Sequence, residues 1–118
     1  MSFAVTPQQA LLYRLCGDRN PLHADPAFAK RAGFPAPILH GLCTYGIVLR
    51  EVVDALLDGD AGAVSAYRAR FAGVVFPGET IRIRAWDTGE QIVVDATVGD
   101  PERPALADCQ VTKASRVR

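Results

Sequence analysis

The feature that most constrains this chain is a change of period at Gly62. Beyond it, apolar residues alternate with polar ones. Tyr67, Ala69 and Phe71 alternate with Arg68 and Arg70, and Ile81, Ile83 and Ala85 with Arg82 and Arg84. Ile92, Val94, Ala96 and Val98 alternate with Asp95 and Thr97, and Ala107, Cys109 and Val111 with Asp108, Gln110 and Thr112. This pattern predicts four strands, each with one dry and one wet face. The turn signals Pro77-Gly78, Thr88-Gly89-Glu90 and Gly99-Asp100-Pro101 are short, so the strands are expected to be sequential and antiparallel. A sheet with one dry face needs a cover. The only segment long enough is 40–58, apolar nearly all round from Leu42 to Leu49, then striped by Arg50, Glu51, Asp54 and Asp58, and ended by Gly59. At about 18 residues it would span about 27 Å. The expected class is α+β, an antiparallel sheet wrapped around one long central helix.

Shorter elements come first. Thr6-Pro7-Gln8-Gln9 has the pattern of a capping box with proline at the first helical position, predicting a helix to about Leu15 that stops at Gly17. Asp25-Pro26 repeats the start signal, with Gly33 as the stop. Phe34-Pro35-Ala36-Pro37 is expected to be extended, because each proline biases its predecessor away from the helix. The chain has 118 residues, 49% of them hydrophobic and 22% charged. Residues 1–118 are therefore expected to form a single domain. Thirteen basic residues balance thirteen acidic ones, so neither nucleic acid nor an anionic membrane is an expected partner. No apolar run approaches the ~18 residues that span a bilayer, and MSFAVTPQQA lacks the pattern of a signal peptide. Cys16, Cys43 and Cys109 are odd in number and widely spaced, which fits a reducing, cytoplasmic setting better than a disulfide or zinc scaffold.

The most concentrated polar segment is Gly17-Asp18-Arg19-Asn20-Pro21-Leu22-His23. Asp18 and His23 flank a proline that stiffens the turn between them, so the two side chains can converge. A carboxylate and an imidazole together can hold and deprotonate a water. The same residues serve equally well as turn caps and packing, since Asp-x-Asn-Pro is ordinary turn chemistry. A second candidate is Gly41, at the head of the long helix, where N–H groups lack internal acceptors and a glycine admits a ligand oxygen to the backbone. His40 beside it reads as orienting the turn. Arg68, Arg70, Arg82 and Arg84 would share one sheet face if their strands were neighbours, and could grip ligand phosphates. A solvated outer face is the favoured reading of the set. Cys16 lies beside the polar segment, but nothing marks a third group to orient a Cys–His pair.

Tyr13-Arg14-Leu15-Cys16-Gly17-Asp18-Arg19-Asn20-Pro21-Leu22-His23-Ala24-Asp25-Pro26 resembles the hydratase 2 motif of the MaoC-like family, R-specific 2-enoyl-CoA hydratases and related dehydratases with a hot dog fold. The resemblance continues through Ala32-Gly33-Phe34, Pro37 to Leu42, Arg70-Phe71 and Val75 to Thr80, over about residues 7–115. It implies that Asp18 and His23 hold the water that adds across the double bond. It further implies that Asn20 fixes the loop and that the Gly41 N–H is the oxyanion donor. Stand-alone members begin well upstream of the first helix with an extra strand, whereas only Met1 to Val5 precede Thr6 here. The chain therefore resembles the C-terminal, motif-bearing half of a double hot dog hydratase, either as a split half or as a short subunit.

The function expected is a lyase, the reversible hydration of a trans-2-enoyl-CoA to a (3R)-3-hydroxyacyl-CoA, with no metal or redox cofactor. The expected partners are the acyl-CoA thioester and a second hot dog domain, in a homodimer or a heteromer. The alternative is a non-catalytic or partner-dependent hot dog subunit that binds acyl-CoA, motivated by the lacking N-terminal strand. Thioesterase chemistry on the same fold is disfavoured, since no other carboxylate is marked as an attacking base.

Overall fold

The computed structural model describes residues 1–115. Its strands are β1 (Ser2–Ala4), β2 (Val64–Phe71), β3 (Thr80–Asp87), β4 (Gln91–Val98) and β5 (Arg103–Lys113). Its α-helices are α1 (Gln9–Tyr13), α2 (Pro26–Arg31) and α3 (Gly41–Leu56), with short 3-10 turns at Arg14–Cys16, Pro21–His23 and Ala61–Ala63. The strands form one antiparallel sheet in the order β1-β3-β4-β5-β2. Its dry face carries Ile81, Ile83, Ile92, Val94, Ala96, Cys109 and Val111, all buried, and α3 contributes Cys43, Val48 and Val52 to the same core. The α+β plan of a sheet covered by one long helix is the plan the alternation demanded.

Three expectations need correction. The strands are not all sequential neighbours: β3, β4 and β5 form the meander, but β2 pairs with β5 at the far edge. The link from β2 to β3 runs through residues 72–79 and is a packed crossover, not a tight turn. Val75 is buried within it, and its carbonyl accepts from the Leu39 N–H at 2.7 Å. Second, the N-terminal strand is not lacking. Ser2–Ala4 form β1, with Phe3 opposite Ile81 in β3. Third, α1 begins at Gln9, not Pro7, and has no side-chain cap, since the Thr6 hydroxyl meets the Gln9 side-chain oxygen (3.5 Å) in place of a backbone N–H.

Smaller differences have local causes. The long helix stops at Leu56, where the Leu57 and Gly59 N–H groups both turn back to the Val53 carbonyl, each at 3.0 Å, and Asp58 and Gly59 take positive φ. In β5 the alternation breaks at a bulge. Val94 faces Cys109 and Ala96 faces Leu106, so Ala107 and Asp108 together oppose Asp95, and Asp108 turns out to solvent. Leu106 thus takes the dry-face place expected for Ala107.

Candidate active site

The polar loop is built by its own turn chemistry. Gly17, at φ 107°, lets the chain reverse out of the 3-10 turn Arg14–Cys16. Glycine adopts that conformation without strain. The Asp18 carboxylate accepts the Asn20 N–H at 3.3 Å, and the Asn20 side-chain oxygen accepts the Leu22 N–H at 3.0 Å. Asn20 therefore caps the turn Pro21–His23 that carries the histidine, with Pro21 at its first position. The Leu22 carbonyl then accepts from the Ile38 N–H (3.2 Å), tying the loop to the extended segment before α3.

These contacts fix the protonation pattern of His23. Its Nδ1 lies 2.8 Å from the Ile38 carbonyl. A carbonyl can only accept, so Nδ1 carries the hydrogen. In the neutral ring, Nε2 is then a lone pair, the state a general base requires. His40 stacks on His23 with centroids 3.7 Å apart and planes 24° apart, and Tyr13 packs against His40 at 4.6 Å. The His40 Nε2–H donates to the Asp18 carbonyl at 3.2 Å, and an Asp18 carboxylate oxygen lies 4.0 Å from the same nitrogen. Burial pushes His40 below its ordinary range, more than the bond to the Asp18 carbonyl raises it. Burial likewise raises Tyr13, which stays a phenol.

Asp18, His23, His40 and Gly41 line one open cavity of about 350 Å³, walled further by Ile38, Leu42, Phe71 and the crossover residues Gly73 to Val75. Gly41 opens α3, where the first N–H groups find no acceptor within the helix and the His40 side chain does not cap them. The cavity thus offers a carboxylate, an imidazole lone pair and a helix N-terminus. Ligand atoms of Asp18, His23 and His40 come within 4.8 Å of one another. The stacking works against a shared metal. The two imidazole planes are nearly parallel, with centroids 3.7 Å apart. Lone pairs lie in the ring planes, so these do not converge on a point about 2.0–2.1 Å from both nitrogens.

The four arginines lie elsewhere. They share the wet face of the sheet but on strands separated by β4 and β5, and none lines the cavity. Arg70 pairs with Asp108 (3.0 Å), Arg82 with Glu102 (3.8 Å), and Arg84 with Glu102 (2.6 Å) and Asp95 (3.3 Å). Arg68 donates to Gln110 at 2.9 Å. The cysteines are free, Cys43 and Cys109 buried and Cys16 exposed. Two residues at the site lie in segments that carry the resemblance, but their roles there had no mark in the residue pattern. Tyr13 is one apolar-period residue among several, and Phe71 reads as a strand residue until the crossover brings it over Gly41.

The family model described as "MaoC like domain" matches residues 1–103. A Mycobacterium tuberculosis protein named enoyl-CoA hydratase ChsH3 is 61% identical over 103 residues, 87% of this chain and 35% of that protein. The peroxisomal enoyl-CoA hydratase 2 of Arabidopsis thaliana is 48% identical over 101 residues, 86% of this chain and 33% of that protein. The chain thus spans about a third of the length of these curated relatives. The full-length peroxisomal multifunctional enzyme type 2 of Drosophila melanogaster superposes with a TM-score of 0.92 at 38% identity, over 97% of this chain and 21% of that one.

Proposed function

The chain belongs to the MaoC-like domain family, and from that premise we propose that it is an R-specific 2-enoyl-CoA hydratase, adding water reversibly to a trans-2-enoyl-CoA to give a (3R)-3-hydroxyacyl-CoA. The observation that carries this reading is the convergence of Asp18, the free Nε2 of His23 and the head of α3 at Gly41 on one cavity. Names of relatives with hydratase activity support it.

In the reaction proposed, a water donates to the Asp18 carboxylate and to His23 Nε2. Its oxygen bonds to C3 as its proton passes to this pair. The C2–C3 π electrons move toward the thioester, and the developing negative oxygen is held by the Gly41 N–H. A proton returned to C2 completes the addition, so one water is consumed and the dyad ends as it began. No redox step or Lewis acid is called for, because conjugation with the thioester already makes C3 electrophilic. The outer-face arginines are engaged by neighbouring side chains, so we assign them to the solvated face and leave the CoA phosphates to other contacts.

A partner-dependent form of the same reading has its own support. Leu11, Leu12, Leu15 and Leu42 are each more than half exposed, and Leu42 lies at the cavity. We propose that a second hot dog domain, identical or not, covers this surface. We place the protein in a reducing, cytoplasmic compartment, a reading that its three free thiols support.

The test is turnover of crotonyl-CoA by Asp18→Asn and His23→Ala. Asp18→Asn keeps an acceptor for the Asn20 N–H and should fold as the parent does. His23→Ala loses the bond to Ile38 at a cost of about 1–2 kcal/mol. Each should lower the rate by about 10²–10⁴-fold. Near-parental rates in either variant would sink the mechanism. Release of free thiol in step with the loss of the enoyl absorbance would identify a thioesterase instead, whereas a hydratase removes that absorbance with no thiol released.

A further inference from the structure

His40 is 2% exposed, yet it is a polar residue in the wall of the reactive cavity. Its ring stacks on that of His23 and packs against that of Tyr13. One nitrogen donates to the Asp18 carbonyl at 3.2 Å, and the other, Nδ1, is buried with no partner. Burying an unsatisfied ring nitrogen costs about 1–3 kcal/mol, which an apolar side chain of similar size would avoid. Retaining a histidine there needs a reason that packing alone does not supply.

We propose that His40 is a positioning residue that clamps the dyad, its ring face fixing the orientation of His23 and its Nε2–H fixing the backbone of Asp18. The inference rests on the hydratase reading for its kinetic consequence but not for its geometry. Asp18 and His23 lie on a loop held by turn bonds at its own residues and by two bonds to Ile38. None of those bonds restrains the tilt of the His23 ring about its Nδ1–Ile38 contact. Stacking at 3.7 Å does. Likewise the Asp18 backbone receives its tether to the α3 side of the cavity from His40 alone among its described hydrogen bonds.

The clamp works with a neutral His40. When His23 takes a proton from water, an imidazolium faces the His40 ring, and a charged His40 would oppose that step. The charged and titratable groups around His40 are Arg14 and His23, which disfavour its protonation, Asp18, which favours it, and the Tyr13 phenol. Burial outweighs them.

Two variants separate the two arms. His40→Phe keeps a ring to stack and loses the donor; His40→Gln keeps a donor and loses the ring. The NOE contacts and line widths of the His23 ring C–H signals report its orientation without any need for turnover. We expect the parent and His40→Phe to hold one ring orientation, and His40→Gln to show a ring averaged over several. Each variant should lower kcat by about 10-fold with KM changed less than about 3-fold, and the double loss in His40→Ala should reach about 10²-fold. A His23 ring that keeps one unchanged orientation in folded His40→Gln would overturn the clamp, whatever happens to turnover. Absence of hydratase activity in the parent, with the loss of ring order in His40→Gln still seen, would overturn the functional reading and leave the clamp standing.

Discussion

At the scale of single residues, the site depends on which atoms are already spent. His23 commits Nδ1 to Ile38, and this leaves Nε2 free for chemistry. His40 commits Nε2 to Asp18 and leaves a buried nitrogen bare. The second arrangement has a consequence for stability. Burial holds His40 below its ordinary value of 6.5. Between that value and the lowered one, the unfolded chain binds a proton that the folded chain refuses, so stability falls as pH falls. The contribution is complete above about pH 6.5 and is lost on acidification through the depressed value. His40→Phe lacks this group. Chemical denaturation of both proteins at pH 8 and pH 5 should show the parent losing ground to His40→Phe at the lower pH. A gap that stays constant or widens in the parent's favour would show that His40 charges as readily folded as unfolded.

At the scale of elements, the critical meeting is between the head of α3, the crossover 72–79 and β2. Gly41 does not occupy the left-handed region, so its backbone tolerates a side chain. A Cβ there would meet the Phe71 ring at 3.2–3.3 Å, and Phe71, 55% exposed, has room to swing away. Gly41→Ala should therefore fold with stability within about 0.5 kcal/mol of the parent while losing most turnover, because the methyl group stands where a thioester oxygen must approach the N–H. A thermal midpoint lowered by many degrees would instead make the glycine a packing requirement. The elements differ in how far their residues announced them. Strand alternation and the helix 40–58 follow from burial on one face, and both are visible in a single sequence. The β2–β5 pairing is not, because the two strands lie far apart in sequence and no local pattern names the partner. β1 was hidden for a similar reason. Its Ser-Phe-Ala has too few residues to show a period, and it is a strand only because β3 offers an edge. In the site, Asp18, Asn20 and His23 share one short polar loop, which a single sequence shows, but turn chemistry reads them equally well as caps, and only the resemblance gives Asn20 a role. Tyr13 and Phe71 stand in segments that carry the resemblance, but no pattern marks their contacts, since only tertiary folding brings them to His40 and Gly41.

At the scale of the whole molecule, the shape is thin for its mass. The extents are 55 × 32 × 20 Å and the radius of gyration is 15.3 Å, against about 13.5 Å for a compact chain of this length. The accessible surface is 7009 Å², where a folded monomer of this mass exposes about 6,200 Å². The surplus of roughly 800 Å² is about what one partner contributes to an interface of standard size. Part of it is apolar, with Leu15 82% and Leu42 61% exposed. The sheet also ends in an eight-residue edge, β2, bonded on one side only among the described residues. Its sequence, VSAYRARF, has no proline, and what protects it as a free edge is two arginines and two irregularities of register. Arg70 and Arg68, which would be brought near their copies by edge pairing, are already engaged by Asp108 and Gln110. Antiparallel pairing of two β2 edges about a two-fold axis would join two five-stranded sheets into one, with both long helices on the same side. We therefore expect the chain to be a dimer at micromolar concentration, with the cavity mouths near the subunit boundary. Light scattering measures this directly: a mass near twice 12.7 kDa is the expected result. A clean species at 12.7 kDa that persists on concentration would show that β2 stays unpaired and that the exposed leucines await a different partner.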